Sequence, residues 1–100
     1  MTQVALFVKL EAKPGKEADV AAFLEQGAQM SQDEPGTIAW FGVRFGPSTF
    51  GVFDAFEDES GRQAHMEGDI AAALMKNAPD LFAEEPRIEK LDVLGDKLPG

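Results

Sequence analysis

The sequence predicts an α+β domain in which helices cover one face of a four-stranded antiparallel sheet. Two observations carry that reading. The hydrophobic period switches along the chain in the order strand, helix, strand, strand, helices, strand. Three runs, Val4 to Leu10, Ile38 to Phe45 and Phe50 to Phe56, also carry large side chains on both alternating faces. A strand with one face in water alternates polar and apolar residues, so both faces of these strands should be covered. A chain of 100 residues has too few helical segments to do this alone. The second face is therefore expected to pack on another copy of the protein.

The first strand, Val4 to Glu11, places Val4, Leu6, Val8 and Leu10 on one face and Ala5, Phe7 and Lys9 on the other. Pro14-Gly15 supplies a turn. From Lys16 to about Gln32, Val20, Phe23, Leu24, Gly27 and Met30 recur at helical spacing, and the helix should stop before Pro35-Gly36. A second strand is expected over Thr37 to Phe45. It turns at Gly46-Pro47-Ser48 into a third over Thr49 to Glu57, and the short connection makes the two a hairpin. Asp58 is the expected N-cap of a helix through His65, and Asp69 that of another running to about Asn77. In the latter, Ile70, Leu74, Met75 and Ala78 form an apolar stripe. Glu84-Glu85-Pro86 leads into a last strand, Arg87 to Leu94, and a polar tail. This order is that of the ferredoxin-like split βαβ arrangement, whose helices leave one sheet face bare. A single domain over residues 1–100 is expected.

Composition narrows the partners. With 18 acidic and 9 basic residues the net charge is −9, which disfavours nucleic acid and anionic membranes. The absence of cysteine excludes disulfides, thiolate catalysis and Cys-based metal sites. No apolar run approaches the roughly 20 residues of a membrane span, and no secretory leader pattern is visible, so a cytoplasmic location is expected.

At this point the chain resembles the antibiotic biosynthesis monooxygenase domain family, of the dimeric α+β barrel group. The matching residues are Lys13-Pro14-Gly15-Lys16 before the first helix and Glu34-Pro35-Gly36 before the second strand. Phe53-Asp54-Ala55-Phe56 stands in the place of the family's aromatic, Glu, small residue, Trp pattern. Asp58 to His65 matches an acidic helix start followed by a histidine. The resemblance spans roughly residues 3 to 95 and implies a homodimer joined through the sheet face. It also implies cofactor-independent oxygenation of a phenolic, quinol or polycyclic aromatic compound. Haem-degrading members resembling this chain carry an Asn on strand one, a Trp ending strand three and a His on a later helix. Here strand one has no Asn, Phe56 occupies the Trp position and the third helix has no His, so haem degradation is set aside.

His65, the only histidine, is a candidate base because imidazole titrates near neutrality. Its structural alternative is a helix-orienting hydrogen bond. With no second His and no Cys, a metal site is not expected. Asp54 interrupts an apolar strand on the face of Phe50, Val52 and Phe56, and a carboxylate there must find a donor or shift its pKa upward. It reads as a pocket acid or base, or as a buried ion pair with Arg44 or Arg62. Either arginine is a candidate clamp for an anionic oxygen, and Trp40 with Phe56 are candidate pocket walls or simply core. Loss of turnover with retained folding is expected for His65→Ala. The competing reading is a non-catalytic ligand-binding or assembly protein on the same fold. A sealed interior with Asp54 neutralised by Arg44 favours that reading; an open pocket lined by His65 and Asp54 favours the enzyme.

Overall fold

A computed structural model describes residues 2–99. Its elements are β1 (Val4–Glu11), α1 (Glu17–Ser31), β2 (Thr37–Arg44), β3 (Thr49–Phe56), α2 (Glu59–Met66), α3 (Asp69–Leu81) and β4 (Arg87–Asp92). The sheet order is β2-β3-β1-β4 and all neighbours are antiparallel, which is the ferredoxin-like arrangement.

Register fixes what each face carries. Leu6 of β1 lies opposite Asp54 of β3, which lies opposite Trp40 of β2. Because side chains alternate, that row shares the helix-facing side with Val8, Leu10, Phe50 and Val52. This side is the core, with Leu10, Phe50 and Phe56 at 2% exposure or less. Val20 and Leu24 of α1 and Leu74 of α3 close over it. The opposite side presents Phe7, Phe41, Val43, Phe45 and Phe53, and among the described residues the helices lie on the other side. Phe41 and Phe45 are 55% and 60% exposed, and Phe45 packs edge-on against Phe7.

The end of α3 and its N-cap differ from the sequence reading. Helix α3 runs to Leu81, past the expected stop at Asn77, and includes Pro79. In a last turn a proline loses one backbone hydrogen bond. The surroundings hold the turn in place: Lys13 Nζ donates to the Pro79 carbonyl, and Lys13 N donates to Leu81 O at 2.8 Å. Asp69 is the first helical residue and Gly68 the cap, whereas Asp58 caps α2 as expected, accepting from Gly61 N at 3.1 Å. The strand irregularity falls at Ile38, between Thr37 and Ala39. Two glycines within strands make room for side chains: a Cβ on Gly42 would stand 3.1 Å from Leu24, and one on Gly51 3.0 Å from Phe45.

Candidate functional site

Asp54 is 2% exposed at the middle of the central row, where β3 is flanked on both sides. Helix α2 crosses above it and brings down His65, 8% exposed, whose Nε2 lies 2.8 Å from Asp54 Oδ2. The other ring nitrogen, Nδ1, lies 2.7 Å from Oε1 of Glu34, in the turn between α1 and β2. Glu34 is held in turn by Thr37, whose Oγ1 donates to the same Oε1 at 2.7 Å. The imidazole therefore bridges two carboxylates. Burial is the largest influence on its pKa and pulls it down. The hydrogen bonds to Asp54 and Glu34, with their negative charges, outweigh burial and hold His65 above the ordinary imidazole value.

Beside this bridge lies a cavity of about 250 Å³, walled mainly by Leu6, Val8, Leu24, Trp40, Val52 and Ile70. Asp54 and His65 line it, as do Met75 and Ile88, which remain 57% and 42% exposed and so mark its open side between α3 and β4. Trp40 owes its position to α1: a Cβ on Gly27 would come within 2.9 Å of the indole Cη2 and Cζ2. Among the described residues, two buried side-chain atoms have no hydrogen-bond partner, Asp54 Oδ1 and Trp40 Nε1. They belong to directly opposed residues of β3 and β2. One is an acceptor, the other a donor.

The structure thus brings Asp54, His65 and Trp40 to one cavity. Phe56 backs the imidazole at 5.3 Å between ring centres, behind the cavity wall. The two arginines stand apart, and neither pairs with Asp54. Arg44 lies over the Phe50 ring at 5.0 Å. Arg62 is occupied by Glu59, at 2.6 and 3.0 Å, and by the carbonyls of Ala5 and Leu91, both at 3.2 Å. Those bonds stitch α2 to β1 and β4. Sequence reasoning missed Glu34 as a site residue, since Glu-Pro-Gly is ordinary turn composition. Among the described residues no group of three or more His, Cys, Asp or Glu side chains is placed to hold a metal ion. Nor is any helix long and apolar enough to cross a membrane.

No family model matches the chain, and no curated protein matches it. Among solved structures, the Nitrosomonas europaea protein NE2512, of unknown function, is 60% identical over 100% of this chain and 97% of its own, with a TM-score of 0.97. The chain belongs to the family of NE2512. A second Nitrosomonas europaea protein, named a "putative antibiotic biosynthesis monooxygenase", is 18% identical over 92% of this chain and 99% of its own, with a TM-score of 0.82. One of the same name from Caulobacter crescentus is 21% identical over 94% of this chain and 92% of its own, with a TM-score of 0.78. The likeness to these two is one of fold, along nearly the whole chain. It supports the resemblance to the antibiotic biosynthesis monooxygenase domain read from the sequence.

Proposed function

We propose that the protein is a small cofactor-independent monooxygenase acting on a phenolic, quinol or polycyclic aromatic substrate. The observation that supports it best is the Asp54 carboxylate, anchored by one oxygen on His65 and carrying a free oxygen beside an apolar cavity. Both nitrogens of His65 are committed to carboxylates, so Asp54 is the base and His65 its anchor. A substrate hydroxyl in the cavity, over the Trp40–Asp54 pair of β2 and β3, donates to Asp54 Oδ1 and accepts from Trp40 Nε1–H. Proton transfer to Asp54 leaves an oxyanion held by the indole, with the ring electron-rich enough to react with dioxygen. Dioxygen adds at a ring carbon bearing hydrogen. The resulting peroxide loses water, taking back the proton from Asp54, and leaves a carbonyl. One oxygen atom enters the product and one leaves as water; the substrate supplies all four electrons.

The volume limits the substrate. A cavity of about 150 Å³ holds one benzene ring and typical ligand sites begin near 300 Å³, so about 250 Å³ suits a compound of few rings. The test is oxygen uptake with a panel of one- to three-ring phenols and quinols, with ¹⁸O₂ traced into the product. Asp54→Asn should lower kcat by about 10²- to 10⁴-fold while ligand binding persists. No uptake across the panel, or an unimpaired variant, overturns the reading.

The bare sheet face belongs to the same proposal as a homodimer interface. Its aromatic centre is Phe7, Phe41, Phe45 and Phe53, and strand alternation puts Lys9, Arg87 and Glu89 on that face as well. A face carrying both signs of charge around an apolar centre suits self-association despite the chain's net charge of −9.

A further inference from the structure

Glu34 reaches the site through His65 alone. It is absent from the wall of the apolar cavity and lines a second one, of about 340 Å³, on the other side of the imidazole. We propose that Glu34 is a positioning residue that keeps His65 doubly protonated, so that the anionic oxygen of Asp54 is left free to take the substrate's proton. This rests on Asp54 being the base.

The argument is one of counting protons. A neutral imidazole has one N–H and one lone pair. With Asp54 Oδ2 at 2.8 Å from one nitrogen and Glu34 Oε1 at 2.7 Å from the other, a neutral ring would set its lone pair against a carboxylate. The cation donates to both. Every other charged group lining either cavity is also acidic: Asp33 and Asp69 in the second and Glu67 in the first. No lysine or arginine lines either one. The carboxylates lining the two cavities thus favour the cation at the ring, and the nearby cation on the same helix, Arg62, is paired with Glu59. Glu34 is itself fixed by the Thr37 hydroxyl and by the turn's backbone bonds, Glu34 N to Ser31 O at 3.1 Å and Thr37 N to Glu34 O at 3.2 Å. During turnover the proton passes from the substrate hydroxyl to Asp54 and on to the departing water; His65 keeps both of its own and balances the anion that forms.

The chain has one histidine, so an untagged ¹⁵N-labelled protein gives a single imidazole to follow by NMR. Both ring nitrogens should be protonated at pH 7 in the wild type, and Glu34→Gln should move the titration midpoint to lower pH. Thr37→Val, which frees Glu34 without removing it, should move it less in the same direction and serves if Glu34→Gln does not fold. In oxygen uptake, Glu34→Gln should lower kcat about tenfold or more with KM little changed. A singly protonated His65 at pH 7 in the wild type, or an unmoved midpoint in the variants, overturns the proposal. Lack of oxygen uptake by the wild type, with the NMR shifts as expected, overturns the monooxygenase reading and leaves the charge-setting role of Glu34 standing.

Discussion

Gly36 and Gly61 meet backbone to backbone. A Cβ on Gly61 would lie 2.9 Å from the Gly36 carbonyl oxygen, and one on Gly36 would lie 3.0 Å from Gly61 Cα. Only two residues without side chains allow the turn after α1 to seat this closely on α2. That seating carries Glu34, two residues before Gly36, to His65, one helical turn after Gly61.

Gly61→Ala therefore sets two effects against each other. Alanine in place of glycine inside a helix is favourable by up to about 1 kcal/mol. The clash is with backbone, which has no rotamer to escape into, and overpacking of this kind costs about 1–3 kcal/mol. The clash should win, lowering Tm by several degrees in thermal denaturation and pulling Glu34 from His65. A variant more stable than the wild type would show that the turn yields without cost.

Gly27→Ala tests the placement of Trp40. The new methyl would lie 2.9 Å from two indole carbons, and here the obstacle is a side chain, so the ring moves and the fold survives. The indole should swing toward the cavity and reduce its volume. Since Trp40 is the only tryptophan, its emission reports the movement directly. A bound phenol should quench that emission in the wild type and bind about tenfold or more weakly in the variant. Equal affinity would place the ligand away from Trp40.

Much of this architecture is legible in the sequence because it is periodic. Alternation in β1 and β3 puts Leu6, Val8, Val52 and Phe56 on one face, and Asp54 stands out as a carboxylate in that apolar row. Its partner is not legible. Arg44 and Arg62 are long enough to reach many places from strand or helix, and local periodicity cannot tell that carbonyls and Glu59 claim Arg62. The Glu34 contact with His65 spans 31 residues and depends on two glycines whose spacing has no period. Helix α3 outruns its expected end because Lys13 and β1, remote in sequence, hold the turn containing Pro79.

The uncovered sheet face gives a third prediction. Phe41→Glu places a charge where the aromatic side chain is 55% exposed and hydrogen-bonding within the sheet is untouched. If a second copy covers this face, the variant should remain folded and sediment as a monomer while the wild type sediments as a dimer. A monomeric wild type would remove the dimer proposal.

The charge on His65 gives a fourth prediction, in the pH dependence of stability. The folded protein holds the imidazole above its ordinary pKa, which is about 6.5 in an unfolded chain. Folding then favours the protonated form, and the stabilisation is fully present below about pH 6.5. It is lost as pH rises through the folded value, because the folded protein must then give up a proton that the unfolded chain has already released. His65→Gln lacks this titration, whereas the N-terminal amine and the lysines titrate in both proteins. The Tm advantage of wild type over His65→Gln should therefore be largest near pH 6 and shrink steadily toward pH 9. Glu34→Gln, with one carboxylate fewer on the ring, should begin its own decline at lower pH than the wild type. An advantage that stays flat across this range would mean that folding leaves the imidazole pKa unmoved, and one that grows with pH would mean that the folded protein favours neutral His65; either overturns the doubly protonated ring.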